Sequence, residues 1–595
     1  MTAIRLRVPK QNPEYIGSVP DTVKALDKWR AELPLANQRE SVATLNTLLG
    51  RMNRIPLKPE LRYELLMRLH PVVGELTNVS KKSYLSSRLP LPNKTAESAA
   101  AQRQLLTAMA DGFKIIAIEK LRDDEITTAN DPLIAHALYR AIAYLTLIAL
   151  EHYLIYAEQP MVVWGELNQL YALAESRDLD KKPIDGSADS EPATIAESYQ
   201  RILLLALSNP YHLMQGEAAR LFACLKDWAQ YCRLIGGLHQ PGKSGKFVVD
   251  LAAAAPPRYS SAASDPHTPR VARVIDVAPL LTHLDEIMQR SAQQTTIAER
   301  TQHAMFRRVA RAWGARSERL SPRKERDMTI EIVFGLRHCH QLMSNNAEFQ
   351  PEETEAALLR GDTPEERSNN LVLLSTDTQR WQEERARERV VSGITQPRTS
   401  KFNGEVDDYR DIWKKVYTTR AQAELYLDEL HPQTSATEYT IALAKQGTES
   451  QGGLDLSCAP DQSNNVRVGD LVGFRNEGTG ADDPWEIGSI TWMRVINDGT
   501  VYIGIKRIAS DALAVASRGL LGVGEGSEYF RSLIVPALDP AEHPTSIVTP
   551  AGVYDVDSRI FINTGDKVLH VRLTQMIDTT NAYSQFRFQR LHQSS

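Results

Sequence analysis

A G-x-x-x-x-G-K-S match runs from Gly237 through Gly242 and Lys243 to Ser244. In a phosphate-binding loop of that spacing, backbone N–H groups wrap the phosphates, the lysine reaches the outer ones, and the hydroxyl reaches Mg²⁺. The chemistry needs a strand before the loop and a helix after it, because the helix N-terminus faces the anion. Upstream, GEAARLFACLKDWAQYCRL spaces Leu221, Cys224, Leu225, Trp228 and Cys232 at three- and four-residue steps, an amphipathic helical pattern. Gly236-Gly237 reads as that helix's stop. Downstream, KFVVDLAAAAPPRYSS offers a short β-like run and two prolines. The expected order is helix–loop–strand, so a nucleoside triphosphatase built on Lys243 ranks last of three functional readings.

Two further patterns could carry chemistry. RHCHQLM sets His338 and His340 around Cys339. A metal would want them on a strand with a third ligand nearby, and the sequence offers none, so a structural or surface role is expected. GLLGVGEGSEYF carries Gly522, Gly524 and Gly526 without a strand–turn–helix frame and reads as a flexible loop between two β units. The sequence shows no G-x-S-x-G elbow, no H-E-x-x-H, and no paired carboxylates in a catalytic setting. The expectation is a non-enzyme with no catalytic residues, metal or cofactor.

The elements that position any site come next. At 595 residues, length alone suggests about three or four domains. A composition with 42% hydrophobic and 24% charged residues is that of a globular chain, and a net charge of −5 argues against a DNA- or RNA-holding protein. Four cysteines without C-x-x-C spacing suggest a reducing compartment. The N-terminus has no apolar core of a secretion signal, and the most apolar stretch, ALYRAIAYLTLIALEHYLIYA, is interrupted by charge. A cytoplasmic protein that is not integral to a membrane is expected.

Helical periodicity fills residues 22–240, giving a bundle or solenoid over 1–240. Gly, Ser, Ala and Pro make 241–275 a linker. Residues 276–345 read as helices and a β run at Met328–Leu336, and 346–435 as a charged insertion with helices. From 436 to 515, EYTIALAKQ, GGLDLSC, VRVGDLVGFRN, WEIGSITWMRVI and VYIGIKRIA alternate polar and apolar residues between turns, the signature of a small antiparallel barrel. Residues 516–595 form a smaller C-terminal β unit. The fold class is α+β and multidomain.

The β segment TESQGGLDLSC…VYIGIKRI resembles the PilZ domain, a six-stranded barrel whose best known members bind cyclic di-GMP. The resemblance implies an R-x-x-x-R element before the first strand and a (D/N)-x-S-x-x-G element on the barrel. Ser450 and Gly453 match the second element, while Thr448 stands where Asp or Asn is expected and Glu449 follows it. Trp492 and Gly504-Ile505 match the closing strands, with Trp485 and Trp492 expected in the barrel core. Arg319 and Arg323, in RLSPR, fit the arginine element and precede the β run at Met328, so the barrel would be split by the insertion. Arg307–Arg311 and Arg385–Arg389 share the spacing within helical patterns, where it aligns charges on a solvated face.

On that resemblance, guanidinium groups of Arg319 and Arg323 would clamp phosphate and the guanine O6/N7 edge. Thr448, Glu449, Ser450 and Gly453 would line the base, the glycine by letting the ligand approach the wall. The leading expectation is a cytoplasmic cyclic di-GMP-responsive effector whose helical region binds a protein partner. The alternative is a degenerate PilZ adaptor that binds no ligand.

Overall fold

A computed structural model of the chain describes residues 6–122 apart from 18, 132–184, 191–236, 246–260, 271–290, 297–314, 324–352, 440–460 apart from 451, 466–478, 485–519, 528–536 and 545–591. The chain divides into two compact units. One holds residues 1–322 with 459–468 and 492–503; the other holds 323–458, 469–491 and 504–595.

The first unit opens with eight helices: α1 (Val23–Ala31), α2 (Gln38–Met52), α3 (Pro59–Leu85), α4 (Asn93–Arg122), α5 (Pro132–Leu154), α6 (Met161–Glu175), α7 (Ile195–Leu207) and α8 (Glu217–Trp228). Thr22, Asn37 and Thr194 are extended N-caps whose side-chain oxygens accept from the N–H three residues on, which satisfies otherwise orphaned donors. α5 is the hub, with apolar residues buried around nearly its whole circumference. By length and composition it could cross a membrane, but 78% of its most apolar window is buried within the protein. Its buried Arg140 donates to Glu191 at 2.6 Å. Burial would raise the Glu191 carboxyl, but the nearby His70 ring and the Arg140 guanidinium that donates to it prevail and hold it at about 2.

After α8 the sequence expectation needs correction. The helix ends at Trp228, and Arg233–Gly236 form a strand, β1, so Gly236 closes a strand rather than a helix. The stretch expected as linker contains β2 (Lys246–Asp250), β3 (Arg258–Ser260) and β4 (Ala272–Asp276), in a sheet of order β1-β4-β2-β3. These strands are short and lie among Ala, Pro and Ser. Central β4, pairing with both β1 and β2, supplies the ladder that composition could not reveal. Gly237–Ser244 lie outside the described residues. Among the described residues the elements on either side of them are the strands β1 and β2, and no helix N-terminus of the kind a triphosphate requires follows directly. α9 (Ala278–Arg290) and α10 (Ile297–Trp313) follow.

Two closed six-stranded barrels follow. The first comprises β5 (Lys324–Phe334), β6 (Ala442–Ser450), β7 (Gly453–Cys458), β8 (Leu471–Asn476), β9 (Glu486–Val495) and β10 (Val501–Ala509), in the order β10-β7-β6-β5-β8-β9. The second comprises β11 (Leu513–Gly519), β12 (Phe530–Val535), β13 (Ser546–Pro550), β14 (Arg559–Asn563), β15 (Val568–Thr579) and β16 (Tyr583–Arg590), in the order β11-β12-β13-β16-β15-β14. Counting strands from one to six in each, both barrels run 1-2-3-6-5-4 around the wall. The C-terminal β unit thus repeats the connectivity of the middle one.

Within the second unit, α11 (Leu336–Met343) joins the two barrels. Leu336, Cys339 and Leu342 pack in one core with Leu471 and Ile487 of the first barrel and Leu533, Val535 and Val548 of the second. RHCHQLM is therefore a buried helix, with Cys339 0% and His340 4% exposed. Among the described residues no three His, Cys, Asp or Glu group together to hold a metal ion.

The loop carrying Gly522, Gly524 and Gly526 lies outside the described residues. It connects β11 to β12 inside the second barrel, since that barrel begins at Leu513, before the expected boundary. Of the two tryptophans, Trp485 packs against the core as expected and Trp492 departs from expectation. Ile490 and Met493 fill the buried positions of β9. Trp492 is half-buried and lines an open groove of about 570 Å³ with Tyr502 and Arg494. Trp485 is partly buried, and Arg475 lies over its ring at 4.5 Å.

Candidate functional site

β5 and β6 are direct neighbours in the first barrel although the described residues between them end at Glu352 and resume at Thr440. Ile330 pairs with Ala444, Glu325 with Thr448, and Lys324 with Glu449. β6 alternates buried Ala442, Ala444 and Gln446 with exposed Leu443, Lys445 and Gly447. Between Gln446 and Thr448 both flanking ladders slip by a bulge. In the β6–β7 ladder the extra residue is Gly447, which resets the alternation of β6, whereas in the β5–β6 ladder the extra residue lies on β5, at Arg326–Asp327. Glu449 thereby joins Gln446 at the barrel mouth, whereas Thr448 and Ser450 share the opposite face with Asp455.

β7 supplies the matching pattern. Leu454, Leu456 and Cys458 are buried, and Gly453, Asp455 and Ser457 lie outside them. Thr448 Oγ1 donates to Asp455 Oδ2 at 2.7 Å, across a directly paired position. Ser450 pairs with Gly453, and its hydroxyl donates to the Gly453 carbonyl at 3.2 Å, closing the hairpin. A Cβ on Gly453 would sit well inside contact distance of the Ile505 carbonyl of β10. The backbone that approaches this glycine is therefore the neighbouring strand, which donates from Arg507 N–H to the Gly452 carbonyl at 3.1 Å.

The mouth is an ion network. Glu449 Oε2 accepts from Arg326 Nε at 3.0 Å, and its Oε1 accepts from Arg507 Nη2 at 2.7 Å. Arg507 Nε donates to Glu486 at 2.7 Å, and its Nη1 to the Ser450 carbonyl at 3.1 Å. The hydrogen bond from Arg507 is the main reason the Glu449 carboxyl lies below its ordinary range, with Arg326 adding to it. Behind these groups lies a cavity of about 250 Å³ floored by Leu454 and Phe474. That is below the roughly 300–1,000 Å³ of pockets that enclose a drug-sized ligand.

Of the residues named from sequence, Thr448, Glu449, Ser450 and Gly453 occupy one hairpin, with Glu449 turned to the mouth. Arg319 and Arg323 lie outside the described residues. Arg323 is joined by a single peptide bond to Lys324, the β partner of Glu449. Sequence reasoning missed Arg326, Arg507, Glu486 and Asp455. Arg326 follows Arg323 by three positions, and Arg507 lies near the end of the VYIGIKRIA strand, so their type and place were visible. Their convergence depended on two bulges that were not.

Three family models match the chain in succession. They are described as Cyclic-di-GMP receptor FimW, N-terminal domain, over residues 24–240; Cyclic-di-GMP receptor FimW, middle PilZ domain, over 246–513; and FimW C-terminal beta-barrel domain, over 515–591. A curated relative from Pseudomonas aeruginosa, "Cyclic-di-GMP receptor FimW", is 25% identical over 98% of this chain and 93% of its own length. No solved structure matches. A helical region, a six-stranded barrel assembled across an insertion and a second barrel stand in the order of those models; the chain belongs to the PilZ-domain family, in its FimW-type three-domain form.

Proposed function

We propose that this chain is a cytoplasmic, non-enzymatic effector that binds cyclic di-GMP at the rim and outer wall of the first barrel. Arg319 and Arg323 clamp the phosphates and a guanine edge, and the Thr448–Gly453 hairpin lines the base. Planar guanidinium donors match phosphate oxygens two at a time, which suits this ligand better than a lysine's point charge. The observation that carries the reading is the pairing of β5 with β6. The strand that follows the arginines begins directly across from the serine–glycine hairpin, despite the long intervening sequence. The relative named as a cyclic di-GMP receptor, similar along nearly the whole chain, supports the same ligand.

Ligand held between the arginines and the rim changes the surface offered to a protein partner, for which the helical region is the proposed contact. A second reading, an adaptor that binds no ligand, is favoured by one observation: Thr448 and Glu449 are both engaged by groups of their own chain. Calorimetry with cyclic di-GMP separates the two. Wild type is expected to bind, and the Arg319→Ala, Arg323→Ala double variant to lose more than about 100-fold, since hydrogen bonds to charged groups contribute roughly 1.5–3 kcal/mol each. Absence of heat from wild type at high micromolar ligand would establish the adaptor instead.

A further inference from the structure

We propose that Arg326 and Arg507 form a phosphodiester subsite at the mouth of the first barrel, and that Glu449 closes it by standing where the phosphate would sit. The inference rests on the cyclic di-GMP reading above and adds two arginines and a gate to it. Each oxygen of the Glu449 carboxylate accepts from a different guanidinium, Oε2 from Arg326 Nε at 3.0 Å and Oε1 from Arg507 Nη2 at 2.7 Å. The two non-bridging oxygens of a phosphodiester also share one negative charge, and guanidinium donors meet them in the same two-point way. The surroundings of Glu449 are therefore those of an anion site, with a side chain of the protein itself as the anion.

Charge and room both fit the exchange. Arg507 also donates to Glu486 at 2.7 Å and to the Ser450 carbonyl at 3.1 Å, contacts that hold it in place whether or not Glu449 stays. With Glu449 engaged, two guanidinium groups face two carboxylates and the mouth is neutral. With Glu449 turned outward, one positive charge is left over, which one phosphodiester neutralises. The Glu449 side chain is 25% exposed and that of Arg326 45% exposed, so the clamp faces solvent. Pairs this accessible add little to stability, and opening them takes little. All three side chains line the cavity of about 250 Å³ over Leu454 and Phe474. That volume is several times the roughly 30 Å³ of one water molecule, room for a phosphate group. The engagement of Glu449 then marks the closed state of a receptor. Ligand affinity is reduced by the fraction of molecules in which the clamp is shut.

The test is calorimetry on the full chain with cyclic di-GMP, for wild type, Glu449→Gln, Glu449→Asp, the Glu449→Gln, Arg326→Ala double variant and Asp557→Asn. Asp557 accepts from Arg572 at 2.6 Å on the second barrel, so its variant makes the same change in net charge away from the clamp. Glu449→Gln is expected to bind about 3- to 30-fold tighter than wild type, the scale of two partly exposed pairs that no longer compete. Glu449→Asp keeps the charge but shortens the reach; it should give part of the gain, and it stands in if the glutamine variant does not fold. Adding Arg326→Ala should abolish the gain, and Asp557→Asn should move affinity by less than about twofold, since salt screens distant charges. Unchanged or weaker binding by the folded Glu449 variants would overturn the inference and leave the receptor reading intact. So would a gain that survives the loss of Arg326, or an equal gain from Asp557→Asn. No binding by wild type would overturn the receptor reading, and binding that then appears in Glu449→Gln would still uphold the clamp. No binding by either would overturn both.

Discussion

The two barrels share strand number, antiparallel pairing where the ladders are defined, and the cyclic order 1-2-3-6-5-4, yet their polar contacts are concentrated in different places. The second turns several of its polar groups inward and satisfies them there. Buried Ser517 and Ser532 hydrogen bond at 2.7 Å, Ser517 meets the Tyr554 hydroxyl at 3.1 Å, and Asn563 donates to the Pro351 carbonyl at 3.1 Å. The first gathers its ionic groups at the mouth and its hydroxyl and carboxylate on the outer wall. The contrast continues at the hairpin joining strands two and three. In the first barrel Ser450 and Gly453 face each other across a two-residue turn; in the second, residues 536–545 separate β12 from β13. Connectivity alone therefore does not decide which side chains face out; the tight hairpin and the bulges beside it do.

That contrast breaks most sharply at the first residue of the third strand. Gly453→Ala would drive a Cβ into the Ile505 carbonyl, a backbone atom that cannot swing aside. We expect a loss of about 3 kcal/mol or more, at the upper end of overpacking effects. The counterpart in the second barrel is already a serine, Ser546, which is buried and accepts from Gln585 at 2.9 Å. Ser546→Ala should cost only about 1 kcal/mol, the net worth of one hydrogen bond. Urea denaturation of both variants checks the pair, and equal costs would remove the distinction.

Next in size is an acid sensitivity where the barrels join. His340 Nε2 donates to the Val515 carbonyl at 3.2 Å, which leaves Nδ1 to accept from Arg531 Nη1 at 3.4 Å. Both contacts are met by the neutral ring. Burial, with the Arg531 charge adding to it, pushes the imidazole down to about 3. Because the folded value lies below the unfolded one, this stabilisation is complete above about pH 6.5. It is lost progressively as pH falls toward 3, and amounts to roughly 3–5 kcal/mol at the acid end. Melting curves across that window should show the loss, and His340→Gln should flatten it. An unchanged slope in the variant would place the sensitivity elsewhere.

The smallest expected effect is at the mouth. Glu449→Gln removes one charge from a network whose members are between a quarter and a half exposed. Screening by solvent keeps such pairs near 0–1 kcal/mol, so the melting midpoint should barely move. A shift above about 2 kcal/mol would mean that the network, and not the apolar wall, holds the first barrel closed.

Much of this architecture was legible in the sequence because it rests on local periodicity. The three- and four-residue steps of ESVATLNTLLGRM and LIAHALYRAIAYL mark helices that the structure forms as α2 and α5. Two-residue alternation in GGLDLSC and VYIGIKRIA marks β7 and β10. The order of the arginines, the Met328 run and the serine–glycine element pointed to a barrel split by an insertion, and β5 does pair with β6. What stayed hidden was long-range. β1 is four residues long and takes its ladder from β4, about forty positions later. The shared connectivity of the barrels has no trace in pattern or composition. Asp455 looked like an ordinary outward residue of a strand until its register beside Thr448 was known.

The helix wedged where the barrels meet has a practical meaning. Leu336, Cys339 and Leu342 take their apolar neighbours from both sides. A chain ended after Ala509 would hand water the half of that seam normally roofed by Leu533, Val535, Val548 and Tyr583. The first barrel therefore shares its buried seam with the second, and removing the last eighty residues would uncover the side of the helix that directly follows β5.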